Sequence, residues 1–264
     1  MSRTFLRSVA AASLIGASLA GLAVGIATAE QTGRDGVKAV FNASISPSRL
    51  SRNELEPVSV TLSGAVRSTD GSSPPPLGRI ELAFGARGGL DTSGLARCPR
   101  ARLRNATHRQ ALARCRSALV GRGTILTEVA LNPLRPLLAR AAALAFNASI
   151  ARHPAVLVQA YSASPPVSFV LPFRLRRLSG GAFGTLLRAP VAHVLGRWPR
   201  LRSFQITLGR RYRTGGRRHS YLNARCPLPP RFHSLSVPMA RATYHFAPAP
   251  TMATAILRAC RVRE

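Results

Sequence analysis

Apolar and polar residues alternate with a period of two along most of this chain. Val58, Val60, Leu62 and Val66 share one face against Ser59, Thr61 and Ser63 on the other, the signature of a half-buried β-strand. The same pattern predicts strands over 37–45, 79–84, 124–131 and 144–150. A further one covers 167–175, where Val167, Phe169, Leu171, Phe173 and Leu175 form the apolar face and Arg174 and Arg176 lie on the polar one. Phe204, Ile206 and Leu208 alternate with Ser203, Gln205 and Thr207. The chain then turns at Thr214-Gly215-Gly216 and returns through His219 to Ala224, since paired glycines between strand-like runs signal a hairpin. A last hairpin is expected from 237–246 and 251–257, reversed at Ala247-Pro248-Ala249-Pro250.

One helix stands out. Thr107 is placed to cap His108–Cys115, whose Leu112 and Cys115 share a face with Ala111 and His108. The polar, proline-rich stretch 70–76 reads as a loop, because prolines cannot donate within a strand ladder. Gly121-Arg122-Gly123 lacks the third glycine of a dinucleotide fingerprint and reads as a turn. The pentapeptide Phe-Asn-Ala-Ser-Ile occurs at 41–45 and again at 146–150. Its flanks diverge at once, whereas genuine repeats keep their similarity over a fixed period, so two ordinary strands are the simpler reading. Asn42, Asn105 and Asn147 also sit in glycosylation-type triplets, which the strand settings of Asn42 and Asn147 make chance occurrences. The expectation is an all-β domain, mainly antiparallel and of sandwich type, with one short α-helix. It spans 30–264 as a single unit, with a subdivision near 140–150 left open.

Residues 1–29 change the compartment rather than the fold. Arg3 and Arg7 form a positive leader, no charge interrupts the run from Ser8 to Ala27, and Ala27-Thr28-Ala29 has the small-x-small form that a signal peptidase cuts. A cleaved signal peptide and a mature start at Glu30 are expected, hence a secreted or envelope-associated protein. An uncleaved anchor is the alternative, since the run is about long enough to span a bilayer. About 235 residues remain, enough to bury roughly 70–75% of the unfolded surface. No later apolar stretch approaches spanning length.

An exported chain with four cysteines, Cys98, Cys115, Cys226 and Cys260, is a candidate for two disulfides. Of the three pairings, the sequential one, Cys98–Cys115 and Cys226–Cys260, closes the shortest loops and is expected. No CxxC pair exists and the spacings match no zinc motif. No metal or other cofactor is expected.

Composition excludes a disordered chain and a fibrous one, with 46% hydrophobic and 18% charged residues. The charge balance is extreme, at 38 basic against 9 acidic residues and a formal net charge of +29. Such a surface attracts polyanions without regard to their sequence. Arg210, Arg211, Arg213, Arg217 and Arg218 crowd one hairpin tip with Tyr212, His219 and Tyr221 between them, and Arg197, Arg200 and Arg202 lie upstream beside Trp198. Arginine interleaved with aromatic rings suits phosphate contact and stacking. The expected partner is an anionic cell-envelope polymer or lipid surface, with any nucleic-acid binding non-specific. The plainer reading is a solvated strand end whose charge discourages aggregation.

Signatures of catalysis are missing: there is no GxSxG, HExxH, phosphate loop or GxGxxG. Glu54 and Glu56 precede Pro57 in what reads as a loop and are expected to screen nearby arginines rather than form a glycosidase pair. A serine–histidine–carboxylate site assembled from distant segments stays open, since such triads are defined by geometry. The leading expectation is a non-enzymatic binding or structural protein, and the alternative is an exported hydrolase.

From Arg210 to Leu222, continuing through Ala224-Arg225-Cys226-Pro227, the chain resembles a group of secreted proteins of unknown function from high-GC Gram-positive bacteria. Cys98, Ala106-Thr107, Ala111-Leu112, Cys115 and 118–123 are similar as well, as are Ile45-Ser46-Pro47 and Leu50. The resemblance implies secretion and a shared fold, and no reaction.

Overall fold

A computed structural model of the chain describes residues 29–129, 136–195, 199–247 and 250–263. Residues 1–28 of the expected signal, the hairpin reversal at 248–249, and Arg197 with Trp198 lie outside the described residues.

The first half of the described chain holds β1 Glu30–Arg34, β2 Val37–Ser46, β3 Arg49–Leu50, β4 Glu56–Pro57, β5 Ser59–Ser68, β6 Leu77–Gly85, β7 Gly88–Leu90, helix α1 His108–Cys115 and β8 Leu119–Val129. The second half holds β9 Leu137–Ile150, β10 His153–Ala163, β11 Pro166–Arg177, β12 Phe183–Pro190, the single turn α2 Ala192–Leu195, and β13 Pro199–Leu208. The hairpin strands β14 Arg211–Thr214 and β15 Arg217–Ser220 follow, then β16 Leu222–Ala224, β17 Ser234–Phe246 and β18 Thr251–Val262.

Thirteen strands form one sheet in the order β1-β2-β5-β13-β8-β9-β10-β11-β12-β6-β17-β18-β3. Every pairing is antiparallel except β3 with β18. Strand twist accumulates from neighbour to neighbour, so a sheet this wide curls instead of lying open. Its two ends meet. β18 lies against β1 and β2, and there Arg258 donates to the Ala43 carbonyl (3.1 Å) and to Asn42 Oδ1. The Tyr244 hydroxyl of β17 reaches the Val40 carbonyl of β2 at 3.4 Å. The expected sandwich-type packing is thus made by opposite walls of a single sheet, with its edges drawn together rather than left open to other chains.

Alternation places the core as expected. Val60, Leu62 and Val66 of β5 and Val37, Ala39, Phe41 and Ala43 of β2 all point into it. Gly64 takes an inward position because nothing larger fits: a Cβ there would stand 2.5 Å from the Phe204 ring and 2.7 Å from the Tyr244 hydroxyl.

β9, β10 and β11 are buried on both faces. Ala143, Ala145, Val156 and Val158 face the interior, while Leu144, Phe146, Leu157 and Val170 pack outward under a cap made by Cys98, Leu103, Ala106, Ala111 and Cys115. Helix α1 lies in that cap. Thr107 accepts from the Gln110 amide while Gln110 returns a bond to the Thr107 amide, a capping box. The Cys98–Cys115 disulfide closes the cap, and Cys226–Cys260 joins the segment after β16 to β18, with Cα separations of 5.6 and 5.7 Å. Two buried amides dock the cap: Asn147 donates to the Ala96 carbonyl (3.0 Å) and Gln159 to that of Ala106 (2.8 Å).

Three sequence expectations are corrected. Gly121-Arg122-Gly123 is not a turn but the middle of β8, where a Cβ at Gly123 would lie 2.0 Å from the Gln205 carbonyl oxygen of β13. The glycines permit close approach of two strands, not reversal of one. Glu56 lies in β4 rather than a loop, accepts from the Ser51 amide (2.9 Å) and pairs with Arg263. The single run expected from His219 to Ala224 is broken: β14 and β15 form their own two-stranded sheet, and β16 joins β4 and β7 in another. The two Phe-Asn-Ala-Ser-Ile segments also sit in opposite senses, Phe41 facing the interior and Phe146 the cap.

Candidate anion-binding site

The arginine-rich hairpin owes its shape to two glycines. Gly215 and Gly216 have φ of 54° and 75°, the left-handed pair of a tight turn whose twist matches antiparallel strands. The resulting register sets Arg211 opposite Ser220, Tyr212 opposite His219, Arg213 opposite Arg218 and Thr214 opposite Arg217. Opposed residues share a face, so Arg211, Arg213 and Arg218 project together, and Tyr212, Thr214, Arg217 and His219 lie on the reverse.

The reverse face holds the hairpin to the body. The Tyr212 hydroxyl donates to the carbonyls of Ser93 (3.0 Å) and Asp91 (3.3 Å), and its ring stacks on His219 with centroids 5.4 Å apart. His219 Nδ1 lies 3.1 Å from the Asp91 carboxylate. The Ser93 amide donates to the other carboxylate oxygen, and this bond, seconded by the Ser93 hydroxyl and His219, holds the Asp91 carboxyl below its ordinary range. Burial, then the Asp91 charge, pushes the Tyr212 hydroxyl up.

The five predicted arginines divide into two roles. Arg210, at the base, spends its guanidinium on the carbonyls of Ser117 (2.6 Å), Leu119 (2.9 Å) and Arg116 (3.2 Å). It binds the hairpin to the chain leaving α1. Arg211, Arg213, Arg217 and Arg218 are exposed and have no hydrogen-bond or ion-pair partner among the described residues. Arg211, Arg213 and Arg218 line a hollow of about 790 Å³ that the edge of the reverse face also reaches, its other walls including Leu55, Tyr212, His219, Asn223 and one carboxylate, Asp91, which is engaged by Ser93 and His219. Like charges directly opposed across two strands repel, so the Arg213–Arg218 pair is an arrangement that an anion would relieve.

Arg200 and Arg202 do not join this hollow. Arg202 pairs with Glu128, and Arg200 donates to the Pro74 carbonyl (2.9 Å). Glu128 is fully buried and also accepts from the Ser73 hydroxyl, so the proline-rich loop is tied to the outer face of β8 and β13. The sequence signal for this is a lone carboxylate inside the apolar run 125–129. By itself it names no partner, because the partners are 55 and 74 residues away.

The Asp91–His219 contact is a carboxylate–imidazole pair, the kind of pair that a hydrolytic triad would also require. No serine hydroxyl is bonded to His219 among the described residues, and Ser220 Oγ instead donates to the Leu222 carbonyl (2.8 Å). Among the described residues no group of three or more histidine, cysteine or acidic side chains could hold a metal ion, and no helix is long and apolar enough to cross a membrane. Compared with protein-family models, curated proteins and solved structures, the chain matches none.

Proposed function

We propose that this protein is an exported binding module that engages anionic polymers at or outside the cell envelope through the Arg211–Arg213–Arg218 face of its hairpin. The observation that carries this reading is the set of three unpartnered guanidiniums around one hollow, two of them directly opposed. Guanidinium forks suit phosphate and carboxylate oxygens bidentately, and the net charge of +29 would draw any polyanion towards the surface. Two disulfides support an oxidising compartment. A hydrolase would need a nucleophile beside His219, and Ser220, which lines the hollow, gives its hydroxyl to the Leu222 carbonyl instead.

The test is a salt titration of binding to inorganic polyphosphate and to a short DNA duplex of arbitrary sequence. The parent should lose affinity steeply as salt rises, with little preference among duplex sequences. Arg211→Ser, Arg213→Ser and Arg218→Ser combined should weaken binding and flatten the log–log salt slope by about two to three units, near 0.7–0.9 for each phosphate no longer neutralised. A triple variant that folds normally and keeps both affinity and slope would refute the assignment.

A further inference from the structure

Inside the curled sheet two largely apolar cavities share part of their walls. The deeper one, about 70 Å³, is walled by aliphatic and aromatic side chains alone, among them Leu82, Val158, Phe173 and Phe204. The second, about 110 Å³, is closed on one side by β7 and β16 and lined by Val58, Leu222 and Met239. Leu187 and Leu208 belong to both linings, so the two cavities are neighbours parted by these two flexible side chains. Each is several times the roughly 10–15 Å³ that one water needs, yet the deeper cavity offers water no polar partner, the condition under which a cavity stays dry and accepts an apolar guest.

The second cavity is not apolar throughout. Arg87, Arg225 and Arg258 line it, and no carboxylate does. Arg225 donates to the Asn53 carbonyl (3.1 Å), and Arg258 is engaged with Asn42 and Ala43. Arg87 is half-buried and makes no side-chain hydrogen bond or ion pair among the described residues. A guanidinium with no protein partner at the rim of an apolar cavity is free to receive an anion, which it can hold bidentately.

We propose that the interior binds an anionic single-chain amphiphile of the fatty-acid type, with its hydrocarbon tail between the sheet walls and its carboxylate on Arg87. This site is separate from the hairpin face. Asn223 of β16 lines both the hollow and the second cavity, and the other residues lining the two are different.

Calorimetric titration of the intact, disulfide-bonded protein with octanoate, decanoate and dodecanoate, each below its micelle concentration, tests the proposal. Every added methylene should tighten binding by about fourfold until the cavity is filled. Arg87→Ser should weaken decanoate binding by about ten- to a hundredfold and leave decanol, which has the tail without the charge, unchanged. Leu90→Trp, at the cavity lining, should weaken both ligands. If that variant does not fold by near-ultraviolet circular dichroism, the chain-length series and Arg87→Ser decide alone. No decanoate binding at millimolar concentration, affinity indifferent to chain length, or equal decanoate binding by Arg87→Ser would each overturn the proposal. Polyphosphate binding by Arg87→Ser should stay at the parent level, which separates this outcome from failure of the hairpin assignment.

Discussion

Glu128 is the one charged side chain fully withdrawn from solvent among the described residues, and replacing it by alanine should be among the most damaging single changes to this protein. The carboxylate accepts from Arg202 Nε and from the Ser73 hydroxyl. Its loss strands a guanidinium whose side chain is only 24% exposed and removes the acceptor that holds the 70–76 loop. Breaking a buried ion pair costs about 3–5 kcal/mol. Arg202 keeps a partial path to water, so roughly 2–4 kcal/mol is expected, a large share of the roughly 5–15 kcal/mol that holds a domain folded. At roughly 2–4 °C per kcal/mol for a chain of this size, Tm should fall by roughly 5–15 °C. Urea denaturation gives the free energy, and hydrogen exchange should show protection lost first at 70–76. High salt should leave the difference between parent and variant nearly unchanged, because a buried pair is little screened. Glu128→Leu combined with Arg202→Leu should recover much of the loss, since no charge is then left unpaired. A Glu128→Ala variant within about 0.5 kcal/mol of the parent, the range of ordinary surface changes, would refute the buried pairing.

Two further outcomes follow from buried polar groups. Tyr221 is fully buried and its hydroxyl has no hydrogen-bond partner among the described residues, so Tyr221→Phe should leave stability unchanged or raise it by about 1 kcal/mol; a loss larger than that in urea denaturation would reveal a partner for the hydroxyl. His245, between Arg79 and Thr251, is held below its ordinary pKa first by burial and then by the Arg79 charge, with Glu81 acting the other way. Its neutral form is the one the fold favours, so the associated stability is fully present above the unfolded pKa near 6.5 and is lost as pH falls from there through the folded value. The urea midpoint should therefore decline between pH 7.5 and 5, and His245→Gln should make that decline shallower; an unchanged slope would sink the assignment.

Elements built from local pattern were legible in the chain. One-sided strands such as β2 and β5 declare themselves because each buries a single face, and period-two alternation records which one. Helix α1 was legible because its cap, Thr107 with Gln110, lies within four residues, and the turn at Gly215-Gly216 because only glycine adopts its backbone freely. The disulfide pairing followed loop closure, which depends on separation along the chain.

What depended on distant neighbours was not legible. β10 runs Ala-Val-Leu-Val-Gln-Ala through its buried stretch without alternation because the cap covers its outer face, and a sequence window cannot register that second covering layer. Gly121 and Gly123 resemble a turn until β13 comes close enough to exclude any side chain. The five hairpin arginines are equivalent as letters, yet only the fold commits Arg210 to the carbonyls beyond α1 and leaves Arg211, Arg213 and Arg218 around one hollow. Local pattern determines which residues seek burial and where the backbone can bend. Which groups meet is decided by the curl of a thirteen-strand sheet, whose contacts join positions far apart in the chain and leave no periodic trace in it.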